Sequence, residues 1–136
     1  MFKLGETMDK FRARNLNPIV LAFVGDAVYS LFIREKLTFS CDLKAGEMNK
    51  LAVSSVRASA QATFLNEIID LLDEDELAVF KRGRNAKKGT RSKSASVTEY
   101  NASTGFEAVL GYLYVIGEID RLNFLLNKGY KDEGWR

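Results

Sequence analysis

The sequence predicts an all-α fold. Only one proline interrupts its 136 residues, apolar positions recur with the 3.6-residue period of a helix, and β-branched residues rarely cluster. This length suits one domain with a substantial hydrophobic core, expected to span 1–136. With 46% hydrophobic and 28% charged residues, the chain falls among globular rather than disordered proteins.

The elements follow in order. Asn17-Pro18 reads as an N-cap followed by proline at the first helical position, opening a helix from Pro18 to about Lys36. Arg34 and Lys36 sit near its negative end. This helix is apolar nearly all round, which predicts a central, buried element. Leu43, Met48, Leu51, Ser55, Ala58, Ala62 and Leu65 keep helical spacing, so a second helical region runs from about Leu43 or Ala45 to about Leu72, with room for a break. Asp73 with Glu76 three residues on predicts a capped short helix through Phe80. From Gly83 to about Ser96 the chain carries Gly, Ser, Asn and positive charge without an apolar period, which predicts a mobile basic loop. A further helix is expected from about Thr98 to Ile116, ended by Gly117. A last amphipathic helix covers about Glu118 to Asn127, with Gly129 just past it and a frayed tail, KDEGWR.

Several function classes drop out. The longest apolar runs are broken by Asp26 or Glu107, and none is long enough to span a membrane. The N-terminal MFKLGETMDKF lacks the apolar core and cleavage site of a secretory signal. One cysteine, Cys41, allows no internal disulfide. A cytoplasmic protein without a membrane partner is expected. The absence of histidine removes Ser-His and Cys-His nucleophile pairs and nearly every zinc site. Any catalysis must use carboxylates, Lys, Tyr, Ser/Thr or a hard cation.

Two carboxylates look out of place. Asp26 lies mid-helix in VLAFVGDAVYSLF, with Ala22, Phe23, Tyr29 and Ser30 one turn away and no cation among them. Glu107 repeats this in TGFEAVLGYLY, flanked on its face by Ser103, Thr104, Leu110 and Gly111. A buried, unpaired carboxylate is costly, so each is expected to be neutral, paired across helices or bound to a metal. Small neighbours, Gly25 and Ala27 beside one and Gly105 and Ala108 beside the other, would let two helices cross closely there. Two carboxylates meeting at such a crossing need a divalent cation between them. Oxygen-only ligation suits Mg²⁺ or Mn²⁺, and such an ion activates water for phosphodiester hydrolysis without histidine.

Charge is unevenly spread. The segment KRGRNAKKGTRSK holds Lys81, Arg82, Arg84, Lys87, Lys88, Arg91 and Lys93 and no acid. Without those seven, 13 basic residues face 18 acidic ones, a net of −5, against +2 for the whole chain. A polyanion met at one place is implied. The segment has no aromatic residue for base stacking, so backbone-tracking, salt-dependent contact with a nucleic-acid duplex fits it.

LAFVGDAVYSLFIR resembles the metal-binding signature of the ribonuclease III family, and STGFEAVLGYLYV resembles its second acidic motif. Order and separation match as well. The likeness covers nearly the whole chain and is closest to the short branch called Mini-ribonuclease III, which FKRGRNAK also resembles. Members of that branch look like an isolated catalytic domain without a double-stranded-RNA-binding domain. The resemblance implies a homodimeric, Mg²⁺-dependent endoribonuclease that cuts double-stranded RNA, leaves 5′-phosphates and short 3′ overhangs, and matures 23S (large-subunit) ribosomal RNA. It places the metal-binding and catalytic roles on Asp26 and Glu107. Two further acids of the full-length family fall on Ala22 and Thr104, so protein ligands are fewer here; Glu47 is an additional candidate. The alternative is a non-catalytic RNA- or ribosome-binding helical protein that uses the same basic segment.

Overall fold

The computed structural model describes residues 3–40, 44–55, 58–87 and 96–130. Among these residues there are seven α-helices and no strand: α1 (Lys10–Arg14), α2 (Pro18–Ser40), α3 (Ala45–Ser55), α4 (Ala58–Ile68), α5 (Glu74–Asn85), α6 (Val97–Val115) and α7 (Ile119–Gly129). A 3₁₀ turn, Ile69–Leu71, joins α4 to α5. The all-α expectation holds.

Helix α6 is the hub. It packs against α2 most extensively, then α5, α4, α7 and α1. Its capping box forms as a matched pair: Ser96 Oγ accepts from Glu99 N at 3.0 Å, and the Glu99 carboxylate accepts from Ser96 N at 3.4 Å. From Ser103 to Leu113 every residue except Glu107 is buried. Gly117, at φ +79°, ends the helix as expected.

Helix α2 starts at its anticipated cap, where Asn17 Oδ1 accepts from Ile19 N at 2.9 Å. It runs one turn past Lys36 because buried Leu37 anchors that turn in the core. The expectation of burial all round is corrected. Leu21, Val28, Tyr29, Phe32, Ile33 and Leu37 form its core face, while Val20, Phe23 and Leu31 are exposed, Phe23 at 80%. Positions 20, 23, 27 and 31 line one open apolar stripe.

Helix α5 also exceeds its expected end. The Asp73–Glu76 capping box is present, with reciprocal bonds of 2.8 and 2.9 Å. The helix then continues through Gly83 to Asn85, which corrects the expected loop start at Gly83; residues 88–95 of that expected loop lie outside the described residues. Gly83 is helical because it faces α6, where a Cβ would come within 2.9 Å of Gly105 Cα. Glu76 is only 1% exposed and has a second role that local pattern did not show. Arg121 of α7 donates to both its carboxylate oxygens, at 2.9 and 2.8 Å, tying α5 to α7.

The second helical region is two helices, and α7 keeps Gly129 as its last residue. Helix α1, five residues long, carries too little periodic pattern to be expected; Asp9 caps it and Ala13 is its buried anchor. Leu43, Cys41 and the tail KDEGWR lie outside the described residues.

The tightest contact is between α2 and α6. A Cβ on Gly25 would sit 1.7 Å from the carbonyl oxygen of Glu107, and one on Gly111 would sit 1.9 Å from that of Leu21. The two backbones touch. Gly111→Ala is therefore expected to destabilise the protein by about 3 kcal/mol or more in urea denaturation. Gly46→Ala, in open space on α3, is the control and should be neutral or stabilising by up to about 1 kcal/mol.

Candidate active site

The α2–α6 crossing carries two acids. Asp26 follows Gly25 directly, and Glu107 is the residue whose carbonyl Gly25 touches. The side chains consequently emerge together and lie within hydrogen-bonding reach of each other. The crossing anticipated from small residues exists, with a different second partner. Gly111, rather than Gly105, meets α2; Gly105 packs against Phe80 of α5, and Ala27 is exposed.

Burial differs between the two acids. Asp26 is exposed, whereas Glu107 is half-buried. Desolvation, then the hydrogen bond and charge of Asp26, push the Glu107 carboxyl up to about 9, against a smaller opposing effect of a bond from Gln61. Without a cation, the pair therefore carries a proton at neutral pH. Gln61 of α4 is 2% exposed and its Nε2 donates to Glu107 Oε2 at 3.4 Å. Sequence reasoning passed over Gln61. The available signal was its place one turn from Ala58 and Leu65, a polar residue on an otherwise apolar helix face.

The other acid candidates do not join the pair. Ala22 and Thr104, where the larger family carries acids, are each 7% exposed, and the Thr104 hydroxyl donates to Tyr100 O at 3.0 Å. An acid at such a depth would itself need compensation. Glu47 is exposed in the first turn of α3. Among the described residues, no group of three or more His, Cys, Asp or Glu converges.

The two carboxylates nonetheless suit a divalent cation. They are hard oxygen donors, backbone packing brings them together, and Glu107 keeps a proton that a cation would displace. The exposed side of Asp26 leaves room for water in the remaining coordination positions.

The basic residues distribute unevenly. Lys81, Arg84 and Lys87 are exposed around the end of α5. That end packs through Gly83 on Gly105 and Ala108, on the same stretch of α6 as Glu107. The Arg84 Nε donates to Asn85 Oδ1 at 3.1 Å, and its guanidinium lies 5.6 Å from the Phe80 ring centroid. Arg82 serves the fold: its guanidinium donates to the carbonyls of Arg14 and Leu16, holding α1 and the start of α2 onto α5. Lys88, Arg91 and Lys93 lie outside the described residues.

The Ribonuclease III domain family matches residues 19–118, a span that includes both carboxylates and the whole α2–α6 crossing. The chain belongs to the ribonuclease III family. It is 44% identical over 124 residues to Mini-ribonuclease 3 of Clostridium tetani, covering 90% of this chain and 82% of that protein. It is 46% identical over 121 residues to Mini-ribonuclease 3 of a Thermoanaerobacter species, covering 89% and 85%. A crystal structure of a Fusobacterium nucleatum protein superposes with a TM-score of 0.74 at 31% identity, covering 84% of this chain and 91% of that one. These likenesses place the chain in the Mini-ribonuclease III branch and make it an endoribonuclease, a hydrolase of phosphodiester bonds. The family depends on divalent metal ions. No helix among the described residues is long and apolar enough to cross a membrane.

The Glu107 proton has a measurable consequence. Because Glu107 binds its proton more tightly in the folded chain, the resulting stabilisation is complete below its ordinary value of 4.5 and is lost as pH rises towards about 9. Metal-free wild type should therefore lose thermal stability between pH 5 and 9 relative to Glu107→Gln, as read by melting curves. Adding a divalent cation at the upper end of that range should raise the melting temperature of wild type and leave that of the variant nearly unmoved.

Proposed function

We propose that this protein is a Mg²⁺-dependent endoribonuclease of double-stranded RNA that acts, as a homodimer in the cytoplasm, in the maturation of precursor 23S ribosomal RNA. The observation that carries the reading is the Asp26–Glu107 pair, held in contact at a backbone crossing inside the family's matched span. Asp26 and Glu107 would hold Mg²⁺, with Mn²⁺ able to replace it. The ion supplies the Lewis acidity that activates an attacking water and offsets charge on the leaving oxygen, giving 5′-phosphate products with short 3′ overhangs. Asp26, on the exposed side, is the member of the pair that an RNA phosphodiester could approach from solvent. Glu107, seated deeper, would be the second ligand, and binding a cation there would require it to release its proton.

Lys81, Arg82, Arg84, Lys87, Lys88, Arg91 and Lys93 form the proposed RNA-binding segment. Lys81, Arg84 and Lys87 are exposed at the end of α5, which packs through Gly83 on the stretch of α6 that carries Glu107, and this supports the reading. Arg82 contributes by docking α1, and to RNA only as a neighbouring charge. Such contacts track the phosphate backbone and read duplex shape.

The open stripe on α2 supports the dimer. Val20, Phe23 and Leu31 are 49%, 80% and 51% exposed, an unusual concentration of apolar surface on one face of a small protein. Pairing that face with its copy about a two-fold axis buries it. The same pairing brings two Asp26 sites, on the same helix, into one assembly able to cut both strands.

Incubation with a long RNA duplex tests the chemistry. Wild type with Mg²⁺ should cleave it; EDTA, Asp26→Asn and Glu107→Gln should each reduce cleavage to background while leaving the RNA gel shift intact. Cleavage by Asp26→Asn at the wild-type rate would overturn the assignment. Replacing Lys81, Arg84 and Lys87 by Ala should weaken duplex binding and lower its log–log salt slope by roughly one for each phosphate that the variant no longer neutralises. In sedimentation, the wild type should run at about twice 15.3 kDa and Phe23→Glu at the monomer mass.

A further inference from the structure

Gln61 is a buried amide with an identified target. It is 2% exposed, in an interior where a polar side chain is retained only with a hydrogen-bond partner. One partner of its amide nitrogen is Glu107, whose Oε2 accepts from Nε2 at 3.4 Å. Glu107 is thus held from two sides, by Asp26 towards solvent and by Gln61 towards the core.

The position of Gln61 is set by an aromatic cluster. Phe64, three residues on and one helical turn away, meets Tyr29 of α2 edge-on at 5.3 Å between ring centroids. It also meets Phe106 of α6 at 5.2 Å, and Tyr29 closes the triangle with Phe106 at 5.3 Å. Phe106 is fully buried and immediately precedes Glu107. Three rings from three helices therefore fix α4 against α6 beside the carboxylate.

The residue type matters. A Lys at this point would neutralise Glu107 and compete with a cation. A Glu or Asp would add a third negative charge to a site already strained by two. An amide donates a hydrogen bond and adds no net charge. It can orient the carboxylate and leave the pair's full negative charge for a divalent ion. Metal-ligating carboxylates are commonly oriented in this way by neighbours that do not touch the metal.

We infer that Gln61 is a positioning residue, which holds the Glu107 carboxylate in the orientation that receives the divalent cation and so sets the protein's metal affinity. This rests on the reading of Asp26 and Glu107 as the metal site, and the two stand or fall by different measurements.

The test uses the full chain and two variants. Gln61→Met keeps length and bulk but drops the donor; Gln61→Asn keeps the amide but withdraws it by one methylene. Mn²⁺ binding is measured directly by electron paramagnetic resonance, and duplex cleavage is followed across a Mg²⁺ titration, with melting temperature recorded alongside. Each folded variant should need about 10-fold or more metal for half-maximal cleavage and show the same loss in Mn²⁺ affinity. The rate at saturating Mg²⁺ should fall much less than the affinity. In a Glu107→Gln background, Gln61→Met should weaken Mn²⁺ binding no further. An unchanged Mg²⁺ titration and Mn²⁺ affinity in either folded variant would overturn the proposal, even if melting temperature fell, because Gln61 would then only fill the core. If wild type binds Mn²⁺ and neither Asp26→Asn nor Glu107→Gln weakens it, the metal-site reading fails first and takes this inference with it.

Discussion

The structure depends on two helix backbones touching. Gly25 and Gly111 remove the side chains that would otherwise separate α2 from α6, and the carbonyls of Glu107 and Leu21 occupy the space. Ordinary helix pairs stand about 8–10 Å apart because side chains fill the groove between them. Here that layer is missing at one point. The close approach places Asp26 beside Glu107 without a loop or turn, so the site is built on two closely packed helices. Sites on regular elements hold their geometry better than sites on loops, and metal chemistry rewards that precision.

The same contact opposes stability when no cation is present. Two carboxylates are brought together and one is half-buried, so the metal-free pair keeps a proton that free carboxylates would release. The surrounding packing tolerates this. Phe106, Ala108, Val109 and Leu110 are essentially fully buried around Glu107, and the Glu76–Arg121 pair ties the first turns of α5 and α7. The core outweighs this local defect. Functional sites often carry such strain, offset by interactions elsewhere.

Helix α2 serves three purposes with one sequence. Its core face packs on α6, Asp26 stands on its exposed side, and Val20, Phe23 and Leu31 form an apolar stripe in solvent. A helix apolar all round reads as buried, and in the single chain this one is only half so. The basic segment is also divided. Arg82, itself exposed, donates to the backbone carbonyls of Arg14 and Leu16, while Arg84 bonds Asn85 and lies over the Phe80 ring. Adjacent charges on a helix point in different directions, so a run of like residues need not share one job.

Local pattern determined much of this protein. The all-α class, the caps at Asn17 and Asp73 and the end at Gly117 follow from backbone preferences that act within a few residues. Asp26 and Glu107 were legible because a charge in an apolar helix needs a reason. Tertiary structure decided the rest, because it depends on which faces meet across long sequence separations. It exposed Asp26 and kept Glu107 half-buried, chose Gly111 over Gly105 as the partner of Gly25, and turned Arg82 onto α1. It extended α5 through Gly83, whose missing side chain matters only against Gly105 and Ala108. It also set Gln61 against Glu107, 46 residues away in sequence, where a helix-by-helix reading sees only one amide on an apolar face.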